Sequence, residues 1–235
     1  MKVAELFERL SYGELSNLSI SGEGSGTIVD KSKAKLILYT NDGLLAIFSR
    51  YILKEKQVII ETLQHITNYH FQKKYAESSG STEPFKYIKD LPYEPFQEDV
   101  IKILEVFDSY GQPRLLNDKE DARSLFTPQP NTLQVPLPIN GQALGVSYQA
   151  RHHELFRTGR GLLNQDIDIP FFLEKALQAY IASKVYSDMN GQENKITAQE
   201  HLGNYEAICL DLETKDLINT TYHTTHQKLE RRGFV

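Results

Sequence analysis

Residues 36–60, LILYTNDGLLAIFSRYILKEKQVII, decide the fold, because the spacing of apolar side chains changes within them. Up to Ile52 the apolar positions keep to one stripe: Leu36, Tyr39, Thr40, Gly43, Leu44, Ile47, Phe48, Tyr51 and Ile52 recur at the 3.6-residue period of an amphipathic helix. At Lys54 the stripe ends. Val58-Ile59-Ile60 then opens a series of short β-branched and aromatic runs.

Further along, the runs are Phe85-Lys86-Tyr87-Ile88, residues 100–107 (VIKILEVF), Leu133-Gln134-Val135, and Ala143 to Tyr148. Gly80, Pro84, Pro92, Pro95, Gly111-Gln112-Pro113, Pro128, Pro130 and Asn140-Gly141 punctuate them, a rhythm that predicts antiparallel strands joined by hairpins. Asn140-Gly141, between two apolar runs, is the strongest hairpin signal. Val58, Ile60, Ile101, Ile103, Val135 and Val146 are expected to share the buried face.

Helical spacing resumes after residues 166–170 (DIDIP), where Pro170 suits a first helical position whose N–H has no intrahelical partner. Leu173, Ala176, Leu177, Tyr180, Ile181 and Lys184 mark that helix, and Gly191 stops it. Thr197-Ala198-Gln199-Glu200 fits the capping box of another helix, with Leu202, Tyr205, Cys209, Leu212 and Leu217 on its stripe. A short amphipathic helix is also expected at Val3, Leu6, Phe7 and Leu10. The expected fold is α+β: a helical bundle formed by the N- and C-terminal helices (residues 1–53 plus 165–219), a large inserted antiparallel β-rich module (54–164) and an extended tail (220–235). Ile47, Leu173, Leu177, Leu202, Cys209 and Leu212 are its expected helix-packing core.

The 235 residues carry 26 Lys and Arg against 31 Asp and Glu, a net charge of −5 that argues against a nucleic-acid coat protein. Hydrophobic residues at 40% suffice for a core. One cysteine excludes an intrachain disulfide framework and multi-cysteine metal sites. Glu5 and Glu8 interrupt the apolar pattern of Met1 to Leu10, so no signal peptide is expected there. The apolar clusters Leu44 to Phe48 and Pro170 to Leu173 fall far short of the ~18 residues of a membrane span.

Each chemical motif has an ordinary reading beside the functional one. Residues 22–26 (GEGSG) lack the Lys-Ser/Thr of a phosphate loop, and Glu23 would repel phosphate, so they read as a surface loop. His223 and His226 could join His152-His153 around a metal, but their Thr-rich context favours solvated or interface histidines. His201 needs no special role. Cys209, on an apolar stripe, reads as a core residue. Asp166 and Asp168 abut a helix start, and Asp118 with Glu120-Asp121 lacks calcium-loop spacing, so these read as caps and solvated charges. Lys228, Arg231 and Arg232 cluster near Tyr222 and Phe234, followed by an apolar end suited to insertion into a partner. No cofactor is expected.

The Ile169-Pro170 helix with residues 180–185 (YIASKV), the following helix with Tyr205 and Leu212, and the polar tail together resemble the head-to-tail adaptor (connector, or tail-tube A) proteins of short-tailed bacteriophages. The resemblance spans about half of the chain. It implies a non-enzymatic virion protein of the neck, assembled in the host cytoplasm, in a ring of twelve copies beneath the portal. Its partners would be the portal protein, the tail tube or nozzle, its own copies, and double-stranded DNA passing without sequence-specific contact. The tail residues Tyr222, Leu229, Arg231, Arg232, Phe234 and Val235 would dock on the portal. The net negative charge fits a channel that lets DNA slide, since a basic lining would hold phosphates. Two other readings are a small α+β hydrolase using His152 or His153 with an acidic partner, and a non-viral structural or interaction protein.

Overall fold

The computed structural model describes residues 1–16, 18 and 28–218. Among them the chain is mixed α+β, with four α-helices and two antiparallel sheets. It divides into two compact units, residues 1–43 with 155–235, and 44–154. The first division falls inside one helix.

In the first unit, α1 (Val3–Tyr12) buries Val3, Leu6, Phe7 and Leu10, the stripe expected from the sequence. Its start is fixed by backbone pairing: Val3 N–H donates to Gln165 O and Ile167 N–H to Met1 O, so Asp166 lies beside Lys2. Arg9 ion-pairs with Glu5 at 2.6 Å and with Glu174, tying α1 to the beginning of α3. The helix α3 (Glu174–Ser187) is buried on nearly every side, through Ala176, Leu177, Ala179, Ile181, Ala182 and Val185 among others. Such all-round burial needs neighbours on several faces. One is α2 (Asp30–Arg50), where a Cβ on Gly43 would stand 2.7 Å from Leu177 Cδ1 and 3.0 Å from Tyr180 Cδ1.

The other main neighbour is α4 (Gln192–Thr214), whose start lies five residues before the expected capping box. Thr197 is therefore not a cap: its hydroxyl donates back to Glu193 O at 3.1 Å. Gly191, φ 114, makes the turn between α3 and α4 that an L side chain would strain. At the other end Leu217 N–H donates to Leu212 O and Asp216 N–H to Glu213 O, with Asp216 left-handed at φ 51. This is a Schellman stop built on Asp instead of Gly.

The second unit begins with the last turns of α2, whose terminal carbonyls are claimed by a strand. Gln149 Nε2 donates to Tyr51 O at 3.0 Å and to Phe48 O. Its strands are β1 (Glu55–Glu61), β2 (Asn68–His70), β3 (Ile88–Lys89), β4 (Val100–Phe107), β5 (Phe126–Gln129), β6 (Thr132–Gln134) and β7 (Ala143–Ala150). One sheet runs β3-β1-β7-β4 and the other β2-β6-β5. The longest register, Glu55↔Gln149 through Glu61↔Ala143, pairs the first strand with the last, so both ends of this unit's chain lie on adjacent strands.

Two expectations fail here for local reasons. Gly141 makes its turn, at φ 77, but the strands before and after it enter different sheets. Gly141 N–H instead donates to Thr62 O, seating the turn beside the end of β1. The two-residue hairpin is Pro130-Asn131, between Gln129 and Thr132. Ile101 is only half-buried, because the β4–β7 register shifts between Val100 and Lys102. Val58, Ile60, Ile103, Val106, Val135 and Val146 fill the core.

Candidate functional site

The surface best placed to meet a partner is α4. Its inner face is Ala198, His201, Tyr205, Cys209 and Leu212. Tyr205 meets Tyr180 edge-on with ring centroids 5.4 Å apart, and His201 stacks on Tyr186 at 5.2 Å. His201 Nδ1 lies 3.1 Å from Glu14 Oε2, at ion-pair distance but off the line of a hydrogen bond. Burial pushes the Tyr186 hydroxyl above its ordinary range, with the Glu14 carboxylate adding to it.

Leu202 is a correction to the expected core: it is 45% exposed. The buried seam runs 198-201-205-209-212, so it passes through His201, one residue before Leu202 and about 100° around the helix. Hydrophobicity favoured the leucine, whereas the tyrosine Tyr186 across the seam favoured the flat imidazole. The other expected core residues, Ile47, Leu173, Leu177, Cys209 and Leu212, are buried, Ile47 in the second unit and the rest in the first. Leu217, placed on the same stripe, is exposed after the end of α4.

The outer face of α4 carries a sparse apolar row among polar side chains: Ile196 is 50% and Leu210 61% exposed, with Gly203 halfway between them. A Cβ on Gly203 would meet nothing within 4 Å. These side chains lie opposite the seam packed on α3, so that packing does not account for them.

The second unit holds a groove of about 410 Å³ lined by Lys56, Lys89, Asp90, Phe96 and Tyr148 among others. At its edge Lys56 Nζ is 2.6 Å from Asp99 Oδ2, and Tyr148 OH donates to Asp99 Oδ1 at 3.1 Å. Burial, and then the Asp99 carboxylate, push the Tyr148 hydroxyl well above its ordinary range, so it stays a neutral donor. Lys89 pairs with Glu61 at 2.9 Å and with Glu77 at 2.5 Å. Burial works against the Asp90 charge, but hydrogen bonds from the Ser78 hydroxyl, Phe96 N–H and Ser78 N–H hold its carboxyl below the usual range. The ion pairs Lys56–Asp99, Lys89–Glu61 and Lys89–Glu77 thus tie β1 to β3 and to the segment before β4. No sequence motif announced them, since their members lie far apart in the chain.

Of the other candidates, His152 is buried against Phe48, with centroids 5.5 Å apart, and stacks on His153 at 4.1 Å. Its Nδ1 lies 2.6 Å from His153 O; a carbonyl only accepts, so Nδ1 carries the proton. Asp118 and Asp121 accept from Glu120 N–H and Arg123 N–H in tight turns, and Asp166 pairs with Lys2 at 3.8 Å. Residues 22–26, His223, His226 and Lys228, with the docking residues Tyr222, Leu229, Arg231, Arg232, Phe234 and Val235, lie outside the described residues. Among the described residues no cluster of three or more His, Cys, Asp or Glu is placed to hold a metal. No helix there is long and apolar enough to cross a membrane. Compared with known protein families and with curated proteins, the sequence matches none.

Proposed function

We propose that this chain is a structural virion protein, a head-to-tail adaptor. Its copies form a ring of twelve beneath the portal, joining it to the tail tube or nozzle and leaving a channel for DNA. In this reading α1 to α4 make the bundle of each subunit, and Tyr222, Leu229, Arg231, Arg232, Phe234 and Val235 dock on the portal. The observation that carries the reading is α4, a 23-residue helix with one face packed within its own chain and exposed apolar side chains, Ile196 and Leu210, on the opposite face. A protein that works alone has no use for the second face, whereas a subunit of an assembly does. Two sequence features agree: the net charge of −5, suited to a wall past which DNA slides, and a basic, apolar-ended segment directly after α4.

The test is attachment. Mixed with purified tail-less heads that contain portal, the protein should co-sediment with them and appear as a ring at the portal vertex in negative stain. Failure to bind such heads, with no ring at the vertex, overturns the adaptor reading.

A further inference from the structure

We infer that copies of this chain join head to tail, the outer face of α4 on one copy packing against the outer face of α2 on the next. The ring itself rests on the adaptor reading; the surfaces are assigned from observations of their own. On α2, Leu38 and Leu45 are 41% and 49% exposed. They stand seven residues apart, hence on one face and about 10 Å apart along the axis. On α4, Ile196, Gly203 and Leu210 follow the same seven-residue step. Both helices bury another face within their own chain, so each row is left over from the fold of the single subunit.

Gly203 points to a partner. Glycine in an exposed helix interior costs about 1 kcal/mol relative to alanine. Nothing local requires it: no side chain or backbone crowds the position, and its φ is not among the positive ones. Between Ile196 and Leu210 it leaves a gap in the row, the kind of hole into which a leucine from a facing helix inserts.

Charge selects which helix supplies that leucine. α2 carries Lys31, Lys33, Lys35 and Arg50 against Asp30 and Asp42, a net +2, of which Asp188, ion-paired with Lys35, leaves +1. α4 carries Glu193, Glu200, Glu206, Asp211 and Glu213 against Lys195, a net −4. Pairing α4 with α4, or α2 with α2, sets like charge against like; pairing α2 with α4 opposes them. Exposed Lys31 lies on the α2 row, seven residues before Leu38, and exposed Glu200 flanks the α4 row. A contact between two different surfaces leaves one of each free on every copy, so it propagates and closes into a ring when the rotation allows.

The experiment uses the full chain with Leu45→Glu or Leu210→Glu, at positions exposed enough that each subunit keeps its fold, checked by circular dichroism and thermal melting. Wild type should sediment as a large oligomer, and each variant as a monomer. An equimolar mixture of the two should give a dimer and nothing larger, since only one competent pair of faces survives between them. Assembly that survives either substitution overturns the inference, as does a mixture that stays monomeric. Loss of assembly in Leu210→Glu alone assigns the α4 row to a different occupant and also overturns it. Wild type that is monomeric at every concentration overturns the contact, while attachment to heads still measures the adaptor reading separately.

Discussion

Gly43 and Gly203 sit in the middle of long helices for opposite reasons. At Gly43 a methyl group would press on Leu177 Cδ1 and Tyr180 Cδ1 at 2.7 and 3.0 Å, and Leu177 is fully buried. Alanine there gains about 1 kcal/mol of helix propensity but incurs overpacking of about 1–3 kcal/mol. Gly43→Ala should therefore lower the melting temperature, whereas Gly203→Ala, which meets open space, should raise that of the subunit. A stabilised Gly43→Ala would show that α2 and α3 can separate without loss. Asp188 acts through charge. The Lys35 ammonium, then the Tyr39 hydroxyl, hold its carboxyl below the usual range. A lowered folded value gives stability that is present above the unfolded pKa of about 3.9 and lost as pH falls through the folded one. The pair is about half exposed, so Asp188→Asn should cost under about 1 kcal/mol at pH 7. The difference from wild type should shrink in urea melts as pH is lowered below about 4, and a gap that stays constant down to the acid limit of folding would mean the contribution is not ionic.

At the scale of elements, tyrosine hydroxyls do the joining that short strands cannot. Tyr87, just before β3 of one sheet, donates to His70 O and accepts from His70 N–H in β2 of the other, each at 2.9 Å. Burial pushes its hydroxyl far above the ordinary range, so it remains neutral at every pH the protein meets. Tyr87→Phe leaves His70 O with Gln72 N–H but takes the acceptor from His70 N–H, which β2, three residues long, cannot easily re-satisfy. A loss of about 1–3 kcal/mol is expected from urea unfolding, with the far-ultraviolet spectrum unchanged. An unaltered midpoint would mean that water replaces the hydroxyl. These elements also show what periodicity can and cannot reveal. The stripe of α1, the whole of β4 and the core of β7 were legible, because one buried face imposes a period on a long run. β2 and β5 were not: they are three and four residues long, and β5 contains Pro128, which reads as a breaker and is tolerated in a strand that pairs on one side only. On α4 the same reasoning found the stripe but chose Leu202 over His201, because hydropathy does not record the ring that His201 stacks on. The open row of α4 went unread for a related reason: the inward stripe already accounted for the helix.

For the whole molecule, the division of labour follows the chain. The described residues contain the two cores, each with its own buried cluster, and α4 is closed by its Schellman turn at Leu217 before the basic segment starts. Residues 222–235 supply Tyr222, Leu229, Phe234 and Val235 as their only large apolar groups, beside Lys228, Glu230, Arg231 and Arg232. Removing so little apolar surface takes little from the hydrophobic stabilisation of either unit, which scales with the area withdrawn from water. The same residues suit a partner well: aromatic and arginine side chains dominate many interfaces, and basic groups are attracted to a carboxylate-rich surface. Deleting residues 222–235 should therefore leave the thermal unfolding midpoint within about 2 °C of wild type, a shift corresponding to at most about 1 kcal/mol for a chain of this size. It should leave assembly through α2 and α4 intact while abolishing attachment to portal-containing heads in a co-sedimentation assay. Arg231→Ala with Arg232→Ala should weaken attachment more at low salt than at high, because exposed ionic contacts are screened. A truncated protein that still attaches with full affinity would remove the portal-docking role, and one that melts far lower would place these residues in the fold instead.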